Sequence, residues 1–156
     1  MGKSFDGSYA EYCLVPIQNI LKFESDLSWD ILGAITEIFQ TVSGSLQQVL
    51  EVKEGETLLI RAGSSSIGML ATQLAKSLGV KVISTTRNEN KKQHLLDNGA
   101  YEVLIDNGKI YKELIKRHPN GLNKALELIG NKTLRDSLKC IALKGTVCMT
   151  GILRDE

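Results

Sequence analysis

Thr57-Leu58-Leu59-Ile60 is an apolar run of strand length with no polar alternation, the pattern of a strand covered on both faces and therefore central in a sheet. Ile67, Leu70, Ala71, Leu74, Ala75 and Leu78 then recur at helical spacing, with Lys76 in the last turn and Gly79 as a stop. Val80-Lys81-Val82-Ile83-Ser84-Thr85 predicts a second strand, Asn88 an N-cap, and the period through Leu95 and Leu96 a helix ending at Asn98-Gly99. The same rhythm continues with a strand at Val103-Leu104-Ile105, a helix over 110–115 that stops before Pro119, and a strand over 125–129. A helix carrying Leu134, Leu138 and Ile141 follows, then Gly145 and a fifth strand over 146–149, closed by Gly151. Strands alternating with helices at this spacing imply βαβ crossovers, so the fold class is α/β with a doubly wound, mostly parallel sheet.

The first fifty residues break this rhythm. Residues 9–15 predict a strand belonging to a different substructure, closed by Pro16, and residues 29–52 predict a largely helical stretch with Ser28 as N-cap and Gly33 and Gly44 as soft points. Composition adds exclusions rather than a function. The 156 residues are 42% hydrophobic and 24% charged, with 19 basic and 18 acidic residues, so nothing in the bulk charge calls for nucleic acid, an acidic partner or an anionic membrane. No apolar run reaches membrane-spanning length and the N-terminus lacks a signal-peptide core, which reads as a soluble, cytoplasmic chain. Cys13, Cys140 and Cys148 form no CxxC or His-paired cluster and read as three buried, reduced thiols; His94 and His118 read as surface residues.

The candidate chemistry lies in Gly63-Ser64-Ser65-Ser66-Ile67-Gly68, between the best strand and the best helix. A turn there directs backbone N–H groups and the positive end of a helix at a pyrophosphate. Dinucleotide sites write this turn as GxGxxG, and here Ser65 holds the middle position. The outer glycines also fit the P-loop spacing, but Met69 and Leu70 stand where that loop needs lysine and a hydroxyl, so triphosphate chemistry is excluded. NAD enzymes and methyltransferases place an acid at the end of the second strand to hold the ribose hydroxyls, whereas this chain has Ser84-Thr85-Thr86-Arg87 there, followed by Lys91 and Lys92. Hydroxyls and cations at that point suit a 2′-phosphate, which favours NADP(H) over NAD(H), with Arg87 and Lys91 the stronger candidates.

These residues resemble a known family, the medium-chain dehydrogenase/reductases, and within it the non-zinc NADPH:quinone oxidoreductase and enoyl reductase branch. The resemblance covers nearly the whole chain and rests on residues 62–68 with Ala71-Thr72-Gln73-Leu74-Ala75-Lys76, on Asn98-Gly99-Ala100, on Glu127-Leu128-Ile129-Gly130, and on Gly7-Ser8-Tyr9-Ala10-Glu11-Tyr12. It implies a Rossmann-type NADP(H)-binding domain over 29–156, incomplete at its C-terminus, preceded over 1–28 by the tail of a GroES-like catalytic barrel domain and its connection. By position it implies a cofactor-binding turn of Gly63, Ser64, Ser65, Ser66, Ile67 and Gly68, with pyrophosphate contacts from Ser65, Ser66 and Ile67, and 2′-phosphate contacts from Thr86 or Arg87 and from Lys91. Thr41, Leu128, Thr150 and Gly151 would lie toward the nicotinamide half. Asp106 departs from the aromatic residue that several members carry near the adenine-side phosphate, and an acid there is unhelpful to a phosphate unless Arg87 offsets it.

Zinc-dependent relatives supply a late metal ligand from the segment matching Phe39-Gln40-Thr41-Val42-Ser43-Gly44, which holds no cysteine, histidine or carboxylate, so no metal is expected. The implied activity is hydride transfer from NADPH to a small-molecule acceptor, a quinone or enone, by an enzyme of which this chain is the cofactor domain, inactive in isolation; a homodimer is left open. No catalytic residue can be named. Two alternatives stand beside this reading: a non-catalytic NADP(H)-binding sensor or interaction module, and a zinc-dependent alcohol dehydrogenase-like member.

Overall fold

The computed structural model describes residues 6–152. Packing divides the chain into two units, residues 1–32 and residues 33–156. In the first unit the predicted strand over 9–15 does not form: the described part has only a short 3₁₀ turn, Ile17–Asn19, before the start of α1. A strand needs a neighbour to satisfy its N–H and C=O groups, and no strand among the described residues pairs with this segment. Cys13 there is exposed, against the expectation of three buried thiols.

The second unit is built on five strands: β1 (Thr57–Ile60), β2 (Lys81–Thr86), β3 (Glu102–Ile105), β4 (Leu122–Glu127) and β5 (Ile141–Met149). They are all parallel, in the order β3-β2-β1-β4-β5. Helices α2 (Ser66–Ser77), α3 (Lys92–Asp97), α4 (Tyr111–Arg117) and α5 (Asn131–Lys139) make the crossovers. Side-chain alternation in β1 explains why it had to be central. Leu58 and Ile60 face one core with Ala71 and Ala75 of α2, while Leu59 faces a second core with Ile83, Leu104, Leu114 and Ala125. The first core is completed by Val42, Leu46 and Leu50. They come from α1 (Trp29–Ser43) and from the segment after it, where the helix widens into a π-helical stretch, Gly44–Val49, at the predicted soft point.

Among the strand boundaries that differ from the sequence reading, the end of β4 and the start of β5 do so for local reasons. β4 ends at Glu127 rather than at 129 because the Glu127 carboxylate turns back to accept the N–H groups of Ile129 and Gly130, at 2.9 and 3.1 Å, and so closes a loop. β5 starts at Ile141, well before the predicted 146, and passes through an irregularity where Lys144 has φ +69° and the register with β4 shifts. Gly145 is required there, since a Cβ would fall 2.6 Å from the Asn123 carbonyl oxygen.

Candidate functional site

A cleft of about 960 Å³ opens at the carboxyl ends of the strands, where the chain order reverses between β1 and its neighbours β2 and β4. Its walls include Ala62, Ser64, Ser65, Thr85, Thr86, Arg87, Asp106, Asn107, Gly108, Ile129, Lys132 and Thr133. A side bay of about 310 Å³ is lined by Ser64, Thr86, Arg87, Asn88 and Lys91. Of the residues expected from sequence, Ser64, Ser65, Thr86, Arg87 and Lys91 are thus brought together.

The β1–α2 turn explains its own composition. Ser65, in the place of the middle glycine, takes φ −78° and ψ 162°, which any L-residue adopts, and its hydroxyl oxygen accepts the Gly68 N–H at 3.1 Å as the helix N-cap. The left-handed residue of the turn is Ala62, at φ +58°. Gly68 is fixed by packing: a Cβ would stand 2.7 Å from Ala62 O, Gly63 Cα and Gly63 O. At Gly63 a Cβ would fall 1.8 Å from Ser84 Oγ. Ser66 and Ile67 are the first residues of α2, whose first-turn N–H groups have no intrahelical partner; Ile67 turns its side chain to the core.

The remaining expected residues lie off the cleft wall. Thr41 is half-buried in α1. Leu128 is buried in the first core. Thr150 follows β5, with its hydroxyl 3.2 Å from Ser45 Oγ and 3.4 Å from Cys148 Sγ. Gly151 lies so close to β4 that a Cβ would meet the Leu128 carbonyl oxygen at 1.9 Å.

The largest feature that sequence reasoning missed is Arg61, fully buried directly after β1. Its Nε and Nη2 donate to the two oxygens of Asp106 at 2.7 and 2.8 Å, and Nη1 donates to Asp136 at 2.9 Å and to Ser137 Oγ at 3.3 Å. Burial pulls its pKa down, but the bonds and charges of Asp106, Asp136 and Glu127 more than offset this, and the guanidinium ends above its ordinary value. Asp106 also accepts the Thr85 hydroxyl at 3.1 Å and the Gly108 N–H at 2.8 Å. The expected counter-charge for Asp106, Arg87, is therefore not its partner; Arg61 is. Asp136 in turn accepts the Ile110 and Tyr111 N–H groups at the start of α4. Glu127, buried, takes the hydroxyls of Thr133 and Ser137 besides its two backbone donors. Nothing in periodicity marks an arginine as buried; the only signal was an isolated cation directly after an apolar strand, with acids at the ends of later elements.

His118 also departs from expectation, being partly buried with Nε2 3.0 Å from Glu102. Among the described residues no group of three or more His, Cys, Asp or Glu side chains is placed to hold a metal ion. No helix among them is long and apolar enough to cross a membrane.

Parallel strand order 3-2-1-4-5, a glycine-bounded turn at the first strand–helix junction and a cleft above the switch point define a Rossmann-type α/β domain. The chain belongs to the zinc-binding dehydrogenase family, whose model matches residues 66–156, and within the medium-chain dehydrogenase/reductase superfamily it is quinone oxidoreductase-like. Quinone oxidoreductase of Pongo abelii is 29% identical over 150 residues, covering 95% of this chain and 46% of that protein. The crystal structure of quinone oxidoreductase from Pseudomonas syringae superposes with a TM-score of 0.82 at 28% identity, over 88% of this chain and 43% of that one. A mycobacterial structure complexed with NADPH gives a TM-score of 0.78 at 28% identity, over 84% of this chain and 41% of that one. The chain spans about half the length of the curated relatives it matches.

Proposed function

We propose that the cleft holds NADP(H) and that residues 29–156 are the cofactor domain of an oxidoreductase passing hydride from NADPH to a quinone or enone-type acceptor, with residues 1–28 part of the connection to a substrate barrel. One observation carries the reading. The N-terminus of α2 and a bay lined by Thr86, Arg87 and Lys91 share Ser64 as a common wall, and β2 ends without an acid. That pairs a pyrophosphate seat with a seat for one further phosphate. The size of the cleft and its mix of backbone, hydroxyl and cationic groups fit a dinucleotide. The NADPH held by the mycobacterial neighbour, and the name of the Pongo abelii relative, support cofactor and reaction class.

When bound, the nicotinamide supplies the hydride. The part of this chain is positioning. First-turn N–H groups of Ser66 and Ile67 take the pyrophosphate, and Ser64, Thr86, Arg87 and Lys91 take the 2′-phosphate. Thr41, Leu128, Thr150 and Gly151, off the cleft wall itself, would flank the nicotinamide half where it extends past the cleft, and Gly130 and Gly151 keep the β4 and β5 ends close there. Titration with both cofactors tests the assignment. A hydrogen bond to a charged group is worth about 1.5 to 3 kcal/mol, so Arg87→Ala should weaken NADPH roughly tenfold or more and leave NADH nearly unchanged. Equal losses for both, or tighter NADH binding by the parent chain, would overturn it.

A further inference from the structure

Among the described residues Asp106 is the one acid on the cleft wall, and it stands beside the phosphate bay: its backbone N–H donates to the Thr86 carbonyl at 2.8 Å, one residue before Arg87. An acid at this depth opposes a phosphate dianion and favours the free hydroxyls of an unphosphorylated ribose. Its four hydrogen bonds are already made, two to Arg61, one to the Thr85 hydroxyl and one to the Gly108 N–H. It therefore has no acceptor left in good geometry for a ribose hydroxyl, and its charge is met at 2.7 Å by a cation with no exposed surface. Arg61 cannot touch a ligand in the bay, being fully buried, so whatever it does there it does through Asp106.

We propose that Arg61 is a specificity-determining positioning residue: by locking Asp106 in a saturated, bidentate pair, it makes an acid-bearing wall compatible with the extra phosphate that distinguishes NADPH from NADH. The inference rests on the NADP(H) reading of the cleft. Arg61 also fixes the shape of that wall. Through Asp106 it holds the turn at Gly108, and through Asp136 it holds the start of α4, so the loop carrying Asn107 and Gly108 is anchored at both ends.

The 156-residue chain, its Arg61→Met, Asp106→Asn and Arg61→Lys variants and the Arg61→Met/Asp106→Asn double variant are titrated with NADPH and with NADH, with folding checked by circular dichroism. A charge uncovered on the wall beside the bay acts on a dianion through a partly screened, protein-like medium, so Arg61→Met should lower the NADPH-to-NADH affinity ratio about tenfold. Asp106→Asn leaves the guanidinium unopposed on that side and should raise the ratio by about threefold, with the double variant returning toward the parent. Arg61→Lys keeps the charge without the fork and should keep most of the preference. A merely structural role would weaken both cofactors in parallel and leave the ratio alone. If the parent prefers NADPH and the ratio moves in neither Arg61→Met nor Asp106→Asn, the Arg61 assignment falls while the NADP(H) reading stands. If the parent does not prefer NADPH, both fall. Should Arg61→Met not fold, Asp106→Asn decides alone: a raised ratio supports the assignment, and an unchanged or lowered one overturns it.

Discussion

Cys13, Cys140 and Cys148 share a functional group but not an environment. Cys140 lies in the core beside Asp136, to whose carbonyl it donates, and burial followed by the Asp136 charge pushes its thiol up to about 12. Native protein near neutral pH should therefore release one rapidly reacting thiol, Cys13, and all three only after unfolding, read by a colorimetric thiol titration with and without denaturant. Glu102 makes a second residue-scale prediction. Burial acts to raise its pKa, but hydrogen bonds from His118 and Arg117 and the charge of Arg117 outweigh it, so the folded value lies below the ordinary 4.5. A carboxylate with a lowered folded pKa stabilises fully above its unfolded value, and that contribution is lost as pH falls through the folded value. Urea midpoints followed from about pH 6 to about pH 3 should show part of this acid-side loss disappear in Glu102→Gln.

The β1–α2 element gives a backbone or packing reason for each position of its glycine pattern. The middle position tolerates serine because its backbone is extended, and serine adds a cap that glycine lacks. The last position admits no side chain because three backbone atoms of the same turn occupy the space. Backbone atoms cannot move aside as a flexible side chain does, so Gly68→Val should displace the α2 N-terminus, lose NADPH binding and cost about 2 to 4 kcal/mol of stability. Calorimetric titration and a urea melt check both; unchanged affinity in a folded Gly68→Val variant would mean that the phosphates sit elsewhere. The π-helical stretch beginning at Gly44 has a packing consequence of the same kind, for it seats Leu46 in the first core and brings Ser45 to Thr150.

For the molecule as a whole, the cleft draws its walls from the ends of β1, β2, β3 and β4, and the relatives it matches are about twice as long. Hydride transfer needs the acceptor held at near-attack distance and screened from water. The 156-residue chain is expected to bind NADPH without appreciable turnover of quinones or enones, followed by NADPH absorbance. Robust turnover would show that these residues alone assemble a complete site.

Apolar periodicity by itself determined five strands, four crossover helices and the central place of β1, because burial on two faces leaves a strand no polar positions and burial on one leaves a helix a stripe. It also located the glycine-bounded β1–α2 turn and the cationic end of β2, which share the cleft, since both are contiguous in sequence and their character is carried by residue type. Only the tertiary structure decided what crosses elements. Arg61 lies 45 residues from Asp106 and 75 from Asp136 in the chain, and these groups meet with Glu127 only when β1, β3, β4 and α5 converge at one end of the sheet. The extra length of β5 and the failure of residues 9–15 to form a strand have the same origin, because a strand exists by virtue of its neighbour and no local pattern reports whether that neighbour is present.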